Sequence, residues 1–311
     1  MEVKLFDFWP DDHVGHINSD GIDIGKKFLT NLGLELKEFS YSNINVYSHF
    51  LKNTYARRMK RAVQKIVKRK LSNKINKRKI LHGYQTQFPK LDSRDLNIWY
   101  TPENLRPPLD QNFDIFLSHD LDKYDGRNIY LPIWATRFGA SIDLAVQEQK
   151  KFLINRKPPE RGRNGICAVI SNPELIRMSF INELRKSCPV DIYGALGQSI
   201  NDKEEVLLRY KFNICFENDD FPGYVTEKPF EAWESGCIPI WWGNDKGNYL
   251  NSKSIIDVSA LGFGRAIEAI LAVLNSDEKY HAYYGQPLLN HEFDFANLKN
   301  EIMNRAEKRN N

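Results

Sequence analysis

Nine short runs of β-forming, largely apolar residues punctuate the chain: Val3 to Trp9, Ile44 to Tyr47, Asn97 to Thr101, Phe113 to Leu117, Ile166 to Ser171, Val190 to Tyr193, Phe212 to Phe216, Cys237 to Trp242 and Ser254 to Val258. Most are short and apolar rather than alternating, which suggests strands covered on both faces. Helical patterns lie between them at Ser141 to Leu153, Pro173 to Ser187, Glu204 to Tyr210, Thr226 to Ser235 and Arg265 to Leu274. Alternation of this kind predicts an α/β fold with open parallel sheets. The polar, Pro- and Gly-rich stretch Asn155 to Gly165 reads as a linker. Two doubly wound, Rossmann-like domains facing a cleft are therefore expected, at 1–155 and 156–311, with ligands bound beyond the carboxyl ends of the strands.

Composition removes several classes. No uncharged apolar run exceeds the six residues Ala269 to Leu274, whereas a spanning helix needs about 20. The opening Met1-Glu-Val-Lys-Leu-Phe-Asp-Phe-Trp-Pro10 lacks the features of a secretory signal, so a cytoplasmic setting is expected. Cys167, Cys188, Cys215 and Cys237 lack the paired spacing of a zinc or redox site and read as buried thiols.

The net charge of +4 hides an asymmetry. Arg57 to Lys79 carries twelve basic residues and no acidic one, which leaves 32 basic against 40 acidic residues elsewhere. A basic footprint over the whole surface is absent, so nucleic acid is not an expected partner. Within the segment Met59, Ala62, Val63, Ile66, Val67 and Leu71 form a helical apolar stripe flanked by Lys and Arg. A basic amphipathic helix suits an anionic membrane surface or an anionic glycan, and a helix packed on the domain with a solvated face explains it as well.

Two strand-to-helix units offer anion sites. In the first, Phe212 to Phe216 leads through Glu217-Asn-Asp-Asp-Phe-Pro-Gly-Tyr-Val-Thr226 to a helix expected to be capped by Thr226, with Glu227, Lys228 and Pro229 in its first turn and Gly236 ending it. Free N–H groups beside the Lys228 ammonium suit a phosphate, and Glu227 can accept bonds from sugar hydroxyls. An ordinary capped surface helix fits the same residues. In the second, Ile166 to Ser171 leads to Asn172 as expected N-cap, Pro173 at the first helical position and Arg177 one turn inside. The Arg177 guanidinium could grip a diphosphate, or pair with a neighbour such as Glu174. Glu103 follows the strand Asn97 to Thr101 at its carboxyl end, where a carboxylate can act as a general base or be merely solvated. Asp120-Leu-Asp122 has a metal-binding spacing but falls in the other half from the phosphate candidates, and His13, His16 and His119 show no ligand spacing, so no metal site is expected.

Longer motifs carry a resemblance. Phe216-Glu-Asn-Asp-Asp-Phe-Pro-Gly-Tyr-Val-Thr-Glu-Lys228 continuing to Gly236-Cys-Ile-Pro-Ile-Trp-Trp-Gly243, Val169-Ile-Ser-Asn172 with Arg177, Trp99-Tyr-Thr-Pro-Glu-Asn104, and Phe6-Asp-Phe-Trp-Pro10 together resemble the family 10 glycosyltransferases, the α1,3/4-fucosyltransferases that use GDP-fucose. They stand in family order over most of the chain. The resemblance implies a GT-B fold, with an acceptor-binding domain at 1–155, interrupted by a basic insertion at about 56–80, and a GDP-sugar donor domain at 156–311. It implies that Asn172, Arg177, Asn218, Tyr224, Glu227 and Lys228 line the donor site, with Arg177 and Lys228 on the diphosphate. Glu103 would be the base of an inverting transfer to a glycan hydroxyl, on an N-acetyllactosamine-type or lipopolysaccharide oligosaccharide or a lipid-linked glycan. No cofactor would be required, Mn²⁺ or Mg²⁺ at most stimulating the reaction. The missing anchor or stem points to a bacterial member working in the cytoplasm, docked peripherally on the inner membrane if residues 57–79 bind it. Transfer of another GDP-linked deoxysugar is the alternative within enzymes. A non-catalytic glycan- or nucleic-acid-binding protein is the alternative outside them.

Overall fold

The computed structural model describes residues 3–6, 24–36, 41–48, 91–139, 141–157, 162–200 and 202–310. The basic segment 57–79, His13, His16 and Asp7 to Pro10 of the opening motif lie outside them.

Both expected sheets are present, each five-stranded and parallel. The first runs β1 (Val3–Phe6), β2 (Ile44–Tyr47), β3 (Leu96–Tyr100), β4 (Ile115–Ser118) and β5 (Asn128–Tyr130), in that spatial order. The second is built from β6 (Ile166–Ile170), β7 (Asp191–Gly194), β8 (Phe212–Ile214), β9 (Ile238–Trp241) and β10 (Ile256–Asp257), ordered β10-β9-β8-β6-β7. Strands β2, β3, β4, β8 and β9 are buried at every position, the asparagines Asn45, Asn97 and Asn213 included, as strands covered on both faces are. The edge strand β7 is the more open, with Asp191 exposed and Ile192 and Gly194 partly exposed. The reversal of strand order beside β6 and β8 makes a crevice at their carboxyl ends.

The helices are α1 (Ile24–Glu35), α2 (Ile142–Gln149), α3 (Leu175–Leu184), α4 (Lys203–Leu207), α5 (Lys228–Glu234), α6 (Val258–Leu274), α7 (Asp277–Tyr284) and α8 (Phe295–Asn310). Several expectations need correction. Helix α3 begins two residues later than capping by Asn172 required, at Leu175 after Glu174. Helix α5 begins at Lys228, with Glu227 rather than Thr226 at the N-cap position and no cap bond from the Glu227 side chain, while the Thr226 hydroxyl accepts from the Lys228 amide at 3.4 Å and donates to Glu217. Helix α6 starts seven residues before Arg265, with a break at Gly262, and β10 shrinks to two residues. Cys188 is only partly buried, whereas the other three cysteines are buried. Gly236 does end α5, at φ +81°.

The halves pack through aromatic rings. Trp134, Phe138 and Phe152 surround Phe230 of α5 at centroid distances of 4.9, 5.5 and 5.1 Å. Helix α8 then returns to the first sheet: Phe295 meets Phe28 of α1, the Tyr41 hydroxyl donates to the Ala306 carbonyl, and Arg309 pairs with Asp114 at 2.7 Å.

Candidate active site

The residues singled out in the second half converge at the carboxyl ends of β6 and β8. Their organiser is Glu217, one of the residues that sequence reasoning passed over. Its carboxylate is fully buried and receives four donors. The Thr226 amide and the Trp241 indole donate to Oε1 at 2.9 and 3.3 Å, and the Thr226 hydroxyl and the Lys228 ammonium to Oε2 at 2.7 and 2.9 Å. A buried carboxylate without such partners would be prohibitively costly. The loop between β8 and α5 is thus folded around a charge.

Lys228 sits above this carboxylate with 21% of its side chain exposed. Its ammonium also donates to the Thr226 hydroxyl at 2.9 Å, so among the described residues two of its three N–H groups are used. Burial would lower its pKa, but Glu217 and Glu227 outweigh burial and hold the ammonium above its ordinary value. Glu227 shows the converse: burial pushes its carboxyl up, and Lys228 and Arg137 together bring it below the usual range. Both groups are charged at neutral pH.

Arg177 is buried, and its fork closes on the backbone rather than on Glu174. Nη1 donates to the Asn172 carbonyl at 2.5 Å, and Nη2 to the Phe216 and Glu217 carbonyls at 2.6 and 3.4 Å and to Asn218 Oδ1 at 3.2 Å. Glu174 instead accepts from the Asn172 amide at 2.6 Å. The guanidinium therefore staples the loop after β6 to the loop after β8. Among the described residues it makes no ion pair, so its positive charge stays on offer to an anion, although burial draws its pKa down against Glu174 and Glu217. Asn218 and Asn172 are exposed at the mouth of the crevice.

Glu103 comes from the other half, in the loop after β3. Thr101 Oγ1 pins its backbone, donating to the Glu103 carbonyl and accepting from its amide, both at 3.1 Å. The Tyr224 phenol, 2% exposed, is pushed well above its ordinary value, first by burial and then by the charges of Glu217, Glu103, Glu227 and Asp219. The charge of Glu103, from the first half, is thus felt at Tyr224 in the second.

Asp120-Leu-Asp122 has a structural explanation. Asp120 Oδ2 receives the Tyr124 hydroxyl and faces Arg106 at 3.6 Å, its Oδ1 accepts the Asp122 amide at 3.1 Å, and Asn128 holds the carbonyls of Asp120 and Asp122, both at 2.8 Å. Among the described residues no three His, Cys, Asp or Glu side chains are grouped as a metal site. His119 is fully buried, and burial followed by Arg106 pushes its pKa down to about 3, so the ring is neutral. Its Nε2 lies 3.0 Å from Arg106 Nη1, which can only donate, so Nε2 accepts.

Comparison with known proteins bears on the family and the fold. Residues 160–288 match the family model described as glycosyltransferase family 10 (fucosyltransferase) C-term. The chain is 29% identical over 206 residues to an alpha-(1,3)-fucosyltransferase of Helicobacter pylori, an alignment covering 56% of this chain and 43% of that protein. It is 32% identical over 127 residues to the human 4-galactosyl-N-acetylglucosaminide 3-alpha-L-fucosyltransferase 9, covering 38% of this chain and 35% of that one. The alignments thus span less than half the length of these curated relatives. Among solved structures, an alpha1,3-fucosyltransferase with GDP-fucose superposes at a TM-score of 0.62 with 18% identity, covering 98% of this chain and 90% of that one. The same enzyme type with GDP gives 0.58 at 22% identity, covering 85% and 89%. At that identity the likeness concerns the fold, which is GT-B.

Proposed function

We propose that this chain, whose residues 160–288 match the glycosyltransferase family 10 model, is an inverting fucosyltransferase that moves L-fucose from GDP-β-L-fucose to a glycan hydroxyl. The observation that carries this reading is the assembly of Lys228, Arg177 and Glu227 at the carboxyl ends of β6 and β8, with Glu103 in electrostatic reach from the other sheet.

The leaving diphosphate develops charge as the bond to the sugar breaks. The remaining N–H of Lys228 and the unpaired charge of Arg177 are fixed where they can stabilise it without reorganising. Glu227, held ionised, accepts hydrogen bonds from hydroxyls of the sugar. Glu103 takes the proton of the acceptor hydroxyl as that oxygen attacks the anomeric carbon from the face opposite GDP. Protein cations serve the leaving group, so a divalent ion is dispensable, and substantial activity should survive EDTA. A galactosyl-N-acetylglucosamine unit is the acceptor class suggested by the human relative. Work in a reducing cytoplasm fits the four free thiols. The test is incubation with a panel of GDP-sugars and glycan acceptors, read by mass spectrometry. A fucosylated product from GDP-fucose supports the reading, and product only from another GDP-sugar replaces the donor.

A further inference from the structure

Two loops from opposite halves, each carrying part of the proposed chemistry, are joined side chain to side chain. Asn104 directly follows Glu103, and Asp219 directly follows Asn218. The Asn104 amide Nδ2 donates to Asp219 Oδ2 at 2.7 Å, across 115 positions of sequence. Arg106 sets which end of the amide faces the other loop, since its Nη2 donates to Asn104 Oδ1 at 2.8 Å and leaves the amino group toward Asp219. Its guanidinium also lies 3.0 Å from the ring centroid of Phe221, two residues beyond Asp219. Gly223 completes the contact. Its φ of +84° suits glycine, and a Cβ there would approach the His119 carbonyl oxygen to 2.5 Å.

We propose that Asn104 and Asp219 form a positioning pair that holds the loop bearing Glu103 at a set distance from the loop bearing Asn218, Tyr224 and Glu227, so that base and donor site form one unit. The inference rests on the reading of Glu103 as the base. Thr101 already fixes the Glu103 backbone within its own loop, which makes the placement of that loop against the other half the remaining variable. Asn104 is a side chain that spans the gap. A general base acts only within hydrogen-bond reach of the proton it removes, and misplacement by about 1 Å can cost a hundredfold in rate.

The pair can be broken and rebuilt. Asn104→Asp opposes two carboxylates, whereas Asn104→Asp combined with Asp219→Asn restores the bond with donor and acceptor exchanged and keeps an oxygen for Arg106. In the ligand-free protein, amides of 101–106 and 218–224 should exchange with deuterium faster in the single variant and return to the wild-type rate in the double. With GDP-fucose, the single variant should lose about tenfold or more in kcat, as expected for a lost hydrogen bond to a charged group, with GDP affinity kept within about twofold. The double variant should recover most of that kcat, a rescue that a change in general stability would not produce. Wild-type exchange rates in Asn104→Asp, or a double variant as slow in turnover as the single, overturns the pairing. A wild-type protein that transfers nothing from GDP-fucose would overturn the proposed reaction instead, and the exchange rates would still decide the pairing.

Discussion

At the carboxyl edge of each sheet a sealed carboxylate lies beneath a partly exposed cation. In the second half Glu217, with no exposed side chain, lies under Lys228 at 2.9 Å, and Lys228 keeps 21% exposure. In the first half Asp120, 3% exposed, faces Arg106 at 3.6 Å, and Arg106 keeps 25%. The two edges differ in what covers the cation. Phe221 from the other half lies over Arg106, whereas among the described residues Lys228 retains an N–H beyond Glu217 and Thr226 and has the charge of Arg177 nearby. Burying an ion pair costs desolvation that its attraction barely offsets, so neither pair is chiefly a stability device. The same arrangement is a joint where an aromatic ring closes over it and leaves a cation open to the crevice where none does.

Glu217→Ala breaks this comparison most severely. It leaves the Thr226 and Trp241 donors and the Lys228 charge without their partner, and should cost about 3–5 kcal/mol of stability, the usual loss on halving a buried pair. Denaturant unfolding would reveal it, and a loss below about 1 kcal/mol would mean that water replaces the carboxylate. Glu103→Gln tests the chemistry across the cleft: kcat should fall about 100-fold while GDP affinity barely changes. Near-normal turnover in that variant would remove Glu103 as the base.

Matched truncations sharpen the contrast between joint and binding group. Lys228→Ala should weaken GDP binding by about 10- to 100-fold, the worth of a hydrogen bond between charged groups. Arg106→Ala should leave calorimetric GDP affinity within about threefold, because that cation is covered by Phe221. Equal losses in the two variants would erase the distinction drawn here.

The smallest effect belongs to His119. Folding lowers its pKa from 6.5 to about 3, so between those values the unfolded chain holds a proton that the folded chain does not. Its contribution to stability is therefore complete above about pH 6.5 and is lost progressively as pH falls toward 3. Comparing unfolding free energies at pH 7 and pH 5, wild type should lose about 1–2 kcal/mol more than His119→Gln, which retains an oxygen acceptor for Arg106. Identical pH slopes would mean that the ring is protonated in the folded protein.

Much of this was written locally. Short, mostly apolar runs such as Phe212 to Phe216 and Cys237 to Trp242 announce covered parallel strands, and their alternation with helices announces two open sheets, because periodicity and propensity act over a few residues. Gly236 ends α5 where a glycine was expected to, and the run from Phe216 to Lys228 forms the loop between β8 and α5 and the first residue of α5. Edges were harder: β5, a three-residue strand beginning with Asn128, has too short and polar a pattern to register, and α3 begins after Glu174, whose carboxylate accepts from the Asn172 amide.

What only the tertiary structure decided is how each buried charge is satisfied. Glu217 reads as a loop glutamate until Trp241 and Lys228 close on it, and Arg177 reads as a diphosphate fork until its N–H groups are found on the carbonyls of Phe216 and Glu217, about 40 residues away. Asn104 and Asp219 meet across 115 positions. The sequence by itself determined the two parallel sheets and the residue types placed at their carboxyl ends. Which of those side chains are spent on holding the loops, and which keep a charge for a ligand, depended on folding. The physical reason is that local preferences are settled within a turn or a strand, whereas a charge taken out of water must be matched by whatever the fold brings to it from far along the chain.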